Sequence, residues 1–221
     1  MGQCCLGSNG EENFILEEFW ERIKLRKVSQ KTFQEFIILR VNNFTIPEKQ
    51  FNRIIEEFLL TNNPNIDSHY KSYWKDVFVN CQVQDTILEL VISLLILCKK
   101  DKEDFKKNLE HILSSIYSSK KTNNRNKIFN ILRFYLYLIT TSSVQALQDM
   151  KMCDEKTSQY INDTFDTKIL EKYINQILLN NVNNDVDIFL YFNKWYDNLG
   201  NDSQVRREIS EFNEISRKKV K

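Results

Sequence analysis

Glycine is almost absent from the body of this chain, and that scarcity limits its folding more than any other feature. Of 4 glycines in 221 residues, Gly2, Gly7 and Gly10 fall at the very start, so only Gly200 remains beyond them, and the only prolines are Pro47 and Pro64. A turn-rich β fold needs glycine and proline where the backbone reverses. A phosphate-cradling loop or a dinucleotide fingerprint needs several glycines in one turn, so that the backbone can approach the ligand closely. The chain has nowhere to place either, and helices are the remaining way to organise it.

Hydrophobic periodicity supports that reading. The spacing predicts a helix over 11–27 with Ile15, Phe19, Trp20 and Ile23 on one face, and Ser29 as the cap of a second with Phe33, Phe36, Ile37 and Arg40. Thr45-Ile46-Pro47-Glu48 reads as a capping box with proline in the first turn, leading into Phe51, Ile54, Ile55, Phe58 and Leu59 at strict helical spacing. Asp67 or Ser68 can cap a helix carrying Tyr70, Trp74, Val77 and Phe78. Asp85 precedes Ile87 to Cys98, ILELVISLLILC, apolar all round and therefore expected at the centre of the packing. It carries Glu89 and is far shorter than the roughly 20 apolar residues that a bilayer requires.

Asp101 and Asp104 open the next helix, with Phe105, Leu109, Ile112, Leu113 and Ile116 as its inner stripe. Ile128 to Ile139, IFNILRFYLYLI, is a second nearly all-apolar helix, followed by a shorter one with Val144 and Leu147. The polar stretch 149–167 predicts a loop and a short helix near Tyr160, and Ile169, Leu170, Tyr173, Ile174, Ile177 and Leu178 give another stripe. Asp185 is the expected start of an aromatic helix with Phe189, Phe192, Trp195 and Tyr196, stopped at Gly200. Ser203 is the expected cap of the last, with Val205, Ile209, Phe212 and Ile215 inside and Arg217, Lys218, Lys219 and Lys221 at its end. The expectation is an all-α body of about ten helices over 11–221 in one bundle, after a tail at 1–10. A division into halves 11–117 and 127–221 would fall at the polar linker 118–126.

Composition removes several functions. With 31 basic and 30 acidic side chains the formal charge is +1, so the clustered positive charge that nucleic acid demands is missing. The only histidines are His69 and His111, far apart on different elements, and no nucleophile-elbow, zincin or kinase signature is present. Beyond the tail, Cys81, Cys98 and Cys153 are isolated, as suits reduced thiols. No secretory signal precedes the acidic 11–21 stretch. No catalytic residue and no cofactor are expected.

The tail, Met1-Gly2-Gln3-Cys4-Cys5-Leu6, resembles a dual acylation signal. Removal of Met1 would free the Gly2 amine that myristoylation needs, and Cys4 and Cys5 stand where dually acylated proteins carry palmitate. Leu6 occupies the place where the usual signal has serine or threonine. One myristoyl chain binds membranes only marginally, at about 10⁴ M⁻¹, and stable anchoring takes a second signal. Glu11, Glu12, Glu17, Glu18 and Glu21 follow, so an anionic surface would repel this segment and the second signal falls to the cysteines.

The body also has a faint similarity to degenerate EF-hand helix pairs. The stretch from Asp197 to Glu208 begins with Asp and ends with Glu between two helices, with Asn201 between them. Leu199 takes a ligand position and Asp202 the place of the central glycine. Asn181, Asn183 and Asp185 alternate correctly, but Phe192 holds the twelfth position.

The sequence therefore points to a non-enzymatic helical adaptor or scaffold. The resemblance of the tail implies anchoring through acyl chains at the cytoplasmic face of a membrane, plasma or ciliary. The surfaces singled out for a protein partner are Trp195 and Tyr196 and the basic end Arg217, Lys218 and Lys219, the latter suited to an acidic partner such as tubulin or to a lipid headgroup. A calcium-responsive switch using Asp197, Asn201 and Glu208 is the alternative.

Overall fold

The computed structural model describes residues 28–40, 48–62, 87–98, 101–114, 124–140, 154–198 and 202–218. These residues are all-α, with no strand among them. In chain order the helices are α1 (Gln30–Phe33, continuing as a π-helix over Gln34–Ile38), α2 (Glu48–Asn62), α3 (Ile87–Leu97), α4 (Lys102–Ser114) and α5 (Asn124–Ile139). They are followed by α6 (Glu155–Thr164), α7 (Thr167–Tyr173, continuing as a π-helix over Ile174–Leu178), α8 (Ile188–Asn198) and α9 (Asp202–Lys218). Eight α-helices have seven residues or more among the described residues, against the ten or so expected. The helices expected over 11–27, after Asp67 and around Val144 lie outside the described residues.

The core is built around α3. Every residue from Leu88 to Leu97 is buried, so this helix has neighbours on all sides, as its sequence predicts. Its most extensive partner is α5, whose Ile128, Ile131, Leu132, Tyr135, Leu136, Leu138 and Ile139 are buried. The two are also bonded through Ser93, whose Oγ donates to the Ile131 carbonyl at 2.9 Å. The helix α5 is less uniformly apolar in its surroundings than α3: Asn130 and Arg133 lie on a half-buried side, where Arg133 meets Glu171 of α7 at 3.4 Å. Buried side chains from all nine helices form one continuous cluster.

Local chemistry sets where the helices begin. The Ser29 hydroxyl accepts from the Thr32 amide at 3.0 Å, Asp101 from Asp104 at 3.0 Å, Asp154 from Thr157 at 2.7 Å and Asp166 from Lys168 at 2.8 Å. Each satisfies an amide that has no partner within its own helix. The short helix expected near Tyr160 is α6, and Asp154 is its cap.

Four expectations are corrected. The start of α8 is fixed by Asp187, whose carboxylate accepts from the Leu190 amide at 2.9 Å, while Asp185 lies exposed in the preceding turn. Helix α9 begins at Asp202, one residue before the expected cap Ser203. Asn124, Arg125 and Asn126, expected within a linker, are already the first turn of α5. Finally, Ile177 and Ile215 point outward, each 54% exposed. For Ile177 the cause is the π turn. Its bond from the Leu179 amide to the Ile174 carbonyl, 2.8 Å, takes one more residue per turn than an α-helix, so Leu178 and Leu179 take the inward places that a regular helix would have given Ile177 and Leu178. For Ile215 the cause is phase: the inner face of α9 runs Asp202, Val205, Arg206, Ile209 and Asn213, and at about 100° per residue Ile215 stands nearly opposite Asn213.

Candidate functional site

Gly2, Cys4 and Cys5, the expected lipidation sites, lie outside the described residues, as do Asn201 and Lys219. The other singled-out residues lie on α8 and α9. Trp195 is half-buried at the edge of the core, its ring edge-on to Tyr135 at 5.3 Å and to Phe192 at 5.8 Å. Tyr196 is buried and lies flat on Phe105 of α4, with centroids 3.9 Å apart. Both rings therefore hold α8 to α5 and α4, and neither is displayed as a free aromatic patch.

Arg217 and Lys218 are exposed at the end of α9. Arg217 has structural work there, since its Nη2 donates to the Asp163 carbonyl at 3.0 Å. Asn213, one turn earlier, donates through Nδ2 to the Thr164 carbonyl at 3.1 Å. Together they cap the carboxyl end of α6, where donors and positive charge are favoured. Arg217 thus serves a neighbouring helix.

The two described members of the candidate calcium loop have other partners. Asp197 lies in the last turn of α8 and pairs with Lys102 Nζ at 2.7 Å. Glu208, on α9, accepts from the Tyr173 hydroxyl at 3.0 Å and from Gln204 Nε2 at 3.2 Å. Among the described residues no group of three or more His, Cys, Asp or Glu is placed to hold a metal ion.

Tyr173 and Glu208 border a small cavity of about 70 Å³, which Leu136, Leu178, Trp195 and Asn198 also line. Burial first, and the adjacent Glu208 carboxylate second, push the Tyr173 phenol well above its ordinary range. It is a hydrogen-bond donor at neutral pH and not a phenolate nucleophile. The cavity has room for a few waters among its polar groups and is far below the roughly 300–1,000 Å³ of a ligand pocket.

A larger groove, about 280 Å³, lies between the end of α4 and the starts of α5 and α8, lined by Glu110, Leu113, Ser114, Asn124, Ile188 and Phe189. Its polar border is largely occupied in holding elements together. Asn124 Nδ2 donates to the Val186 carbonyl at 3.0 Å, and Asp187, also at the border, caps α8.

Of the cysteines and histidines, Cys98 and His111 are among the described residues. Cys98 is buried and reduced, donates to the Leu94 carbonyl at 3.4 Å, and has its thiol pushed up by burial, which makes it unreactive. His111 is exposed near the end of α4. Compared with protein families, curated proteins and solved structures, the chain matches none.

Sequence reasoning missed the polar side chains on the inner face of α9. Arg206 is fully buried and donates through Nη1 to the Ile139 carbonyl at 3.3 Å, and buried Asp202 accepts from the Tyr135 hydroxyl at 3.0 Å. The available signal was their spacing, which continues the stripe of Val205 and Ile209.

Proposed function

We propose that this protein is a non-enzymatic, membrane-anchored helical adaptor, held at a cytoplasmic membrane face by acyl groups on Gly2 and on Cys4 and Cys5, and presenting its helical body to a protein partner. The observation that carries the reading is the tail Met1-Gly2-Gln3-Cys4-Cys5, in which an amine for myristate and two thiols for palmitate lie within a few residues. The body supports it in two ways. No helix among the described residues is long and apolar enough to cross a membrane, so an attachment by acyl chains has a task to perform. Several described Asp and Arg side chains are committed to capping and joining helices, as Asp101, Asp154, Asp166, Asp187, Asp197 and Arg217 are.

We further read the body as one bundle of about ten helices, a reading supported by the continuous core and by the packing of α3 on α5. The partner surface belongs to exposed helix faces rather than to Trp195 and Tyr196, whose rings face the core. Crosslinking of the membrane-bound protein in cells tests the adaptor role. A discrete set of crosslinked proteins is expected, and recovery of lipid adducts alone would contradict it. The calcium alternative would require Asp197 to leave Lys102 and Glu208 to leave Tyr173. Calorimetric titration with calcium distinguishes the two: the adaptor gives no saturable heat at millimolar calcium.

A further inference from the structure

We infer that the end of α7 is a two-register element, in which the π turn over Ile174–Leu178 exchanges with an α-helical turn that draws Ile177 inward and turns Leu179 out. In the π register described above, the Leu179 amide bonds to the Ile174 carbonyl at 2.8 Å, Leu179 is fully buried and Ile177 is 54% exposed. An apolar side chain thus stands in water within one turn of a buried one. Tightening the turn to α geometry rotates the residues beyond Ile174 by about one position. Ile177 and Leu179 carry isomeric side chains, so the exchange leaves the buried apolar area nearly unchanged, and the backbone replaces one helical hydrogen bond by another.

The surroundings confine this motion to a few residues. Upstream, Ile174 is fully buried and Tyr173 is tied to Glu208. Downstream, the Val182 carbonyl accepts from Arg125 Nε at 3.1 Å. Between them the side chains of Gln176, Asn180 and Asn181 are exposed, and Asn175, also exposed, donates through Nδ2 to the Glu171 carbonyl at 3.0 Å, on the upstream side of the turn. Two hydrogen bonds among the described residues adjust with it, from the Tyr191 hydroxyl to the Leu178 carbonyl at 3.3 Å and from the Val182 amide to the Leu179 carbonyl at 3.1 Å. The small cavity beside Tyr173 and Leu178 gives the incoming side chain room. The consequence is a surface that shows or withdraws a single apolar side chain at position 177.

Amide relaxation-dispersion NMR on the full chain tests this. Microsecond-to-millisecond exchange is expected at the amides of Leu178 to Asn181 and not at those of Leu170 to Tyr173. Ile177→Asp, at an exposed position, should abolish the exchange and leave the major-state shifts in place, because a carboxylate gains nothing by turning inward. Ile177→Leu should retain it. Absence of exchange in the parent protein, or exchange that survives Ile177→Asp unchanged, would overturn the inference.

Discussion

At the scale of single residues, the buried tyrosines make the most direct claim. Burial pushes Tyr191 and Tyr196 each up to about 12, and Tyr173, beside Glu208, is raised further. An unfolded tyrosine titrates near 10. The folded state therefore holds protons that the unfolded state releases, so the stabilisation is intact below about pH 10 and declines as pH rises from there toward the folded values. Chemical denaturation at pH 8, 10 and 11 should show a midpoint that is level and then falls. A midpoint unchanged at pH 11 would contradict the burial of these rings. Asp154 works in the opposite direction. The Thr157 amide it accepts from holds its carboxyl below the ordinary value, so its small contribution is present above about pH 4 and lost as the solution is acidified. Ser29→Ala removes the oxygen that caps α1 and should cost about 1 kcal/mol, measurable by denaturant titration.

At the scale of elements, α3 carries the fold. Leu95 is fully buried in its last turn, and Leu95→Ala should cost about 2–5 kcal/mol through lost apolar contact and the cavity left behind. Asn213→Ala should cost about 1–3 kcal/mol, because the carbonyl of Thr164 loses the donor that α9 supplies. If denaturation midpoints rank Asn213→Ala as neutral, the tie between α6 and α9 is wrong.

How far the elements were legible follows from what they ask of a sequence. Helix α3 was plain because its apolar residues leave no polar face to misread. The inner face of α9 was half-legible: Val205 and Ile209 declared it, but Asp202, Arg206 and Asn213 are polar residues buried by specific hydrogen bonds, which hydropathy reads as surface. The π turn of α7 could not be read, since a stripe counted at 3.6 residues per turn assigns Ile177 to the core and stops before Leu179. Asp185 and Asp187 are chemically identical candidates two residues apart, and the geometry of the loop chose the second. In the site region, Trp195 and Tyr196 stand out in the sequence as the aromatic residues of one helix. Which way they face depended on Phe105 and Tyr135, distant in sequence.

At the scale of the whole molecule, a helical body with a formal charge of +1 has little electrostatic reason to seek an anionic membrane, and the acidic stretch after the tail opposes it. The proposed membrane attachment therefore depends on the acyl chains. A single chain binds only reversibly and two hold, so the variants should grade: Cys4→Ser with Cys5→Ser leaves weak, partial membrane association, while Gly2→Ala combined with both leaves none. The most direct measurement is the membrane-bound fraction of the full chain after cell fractionation, beside the mass of its N-terminal peptide. The parent protein should sediment with membranes and carry acyl mass on Gly2 and at least one of Cys4 and Cys5. An unmodified N-terminal peptide, or a triple variant that still sediments like the parent, would contradict the anchoring on which the proposed function stands.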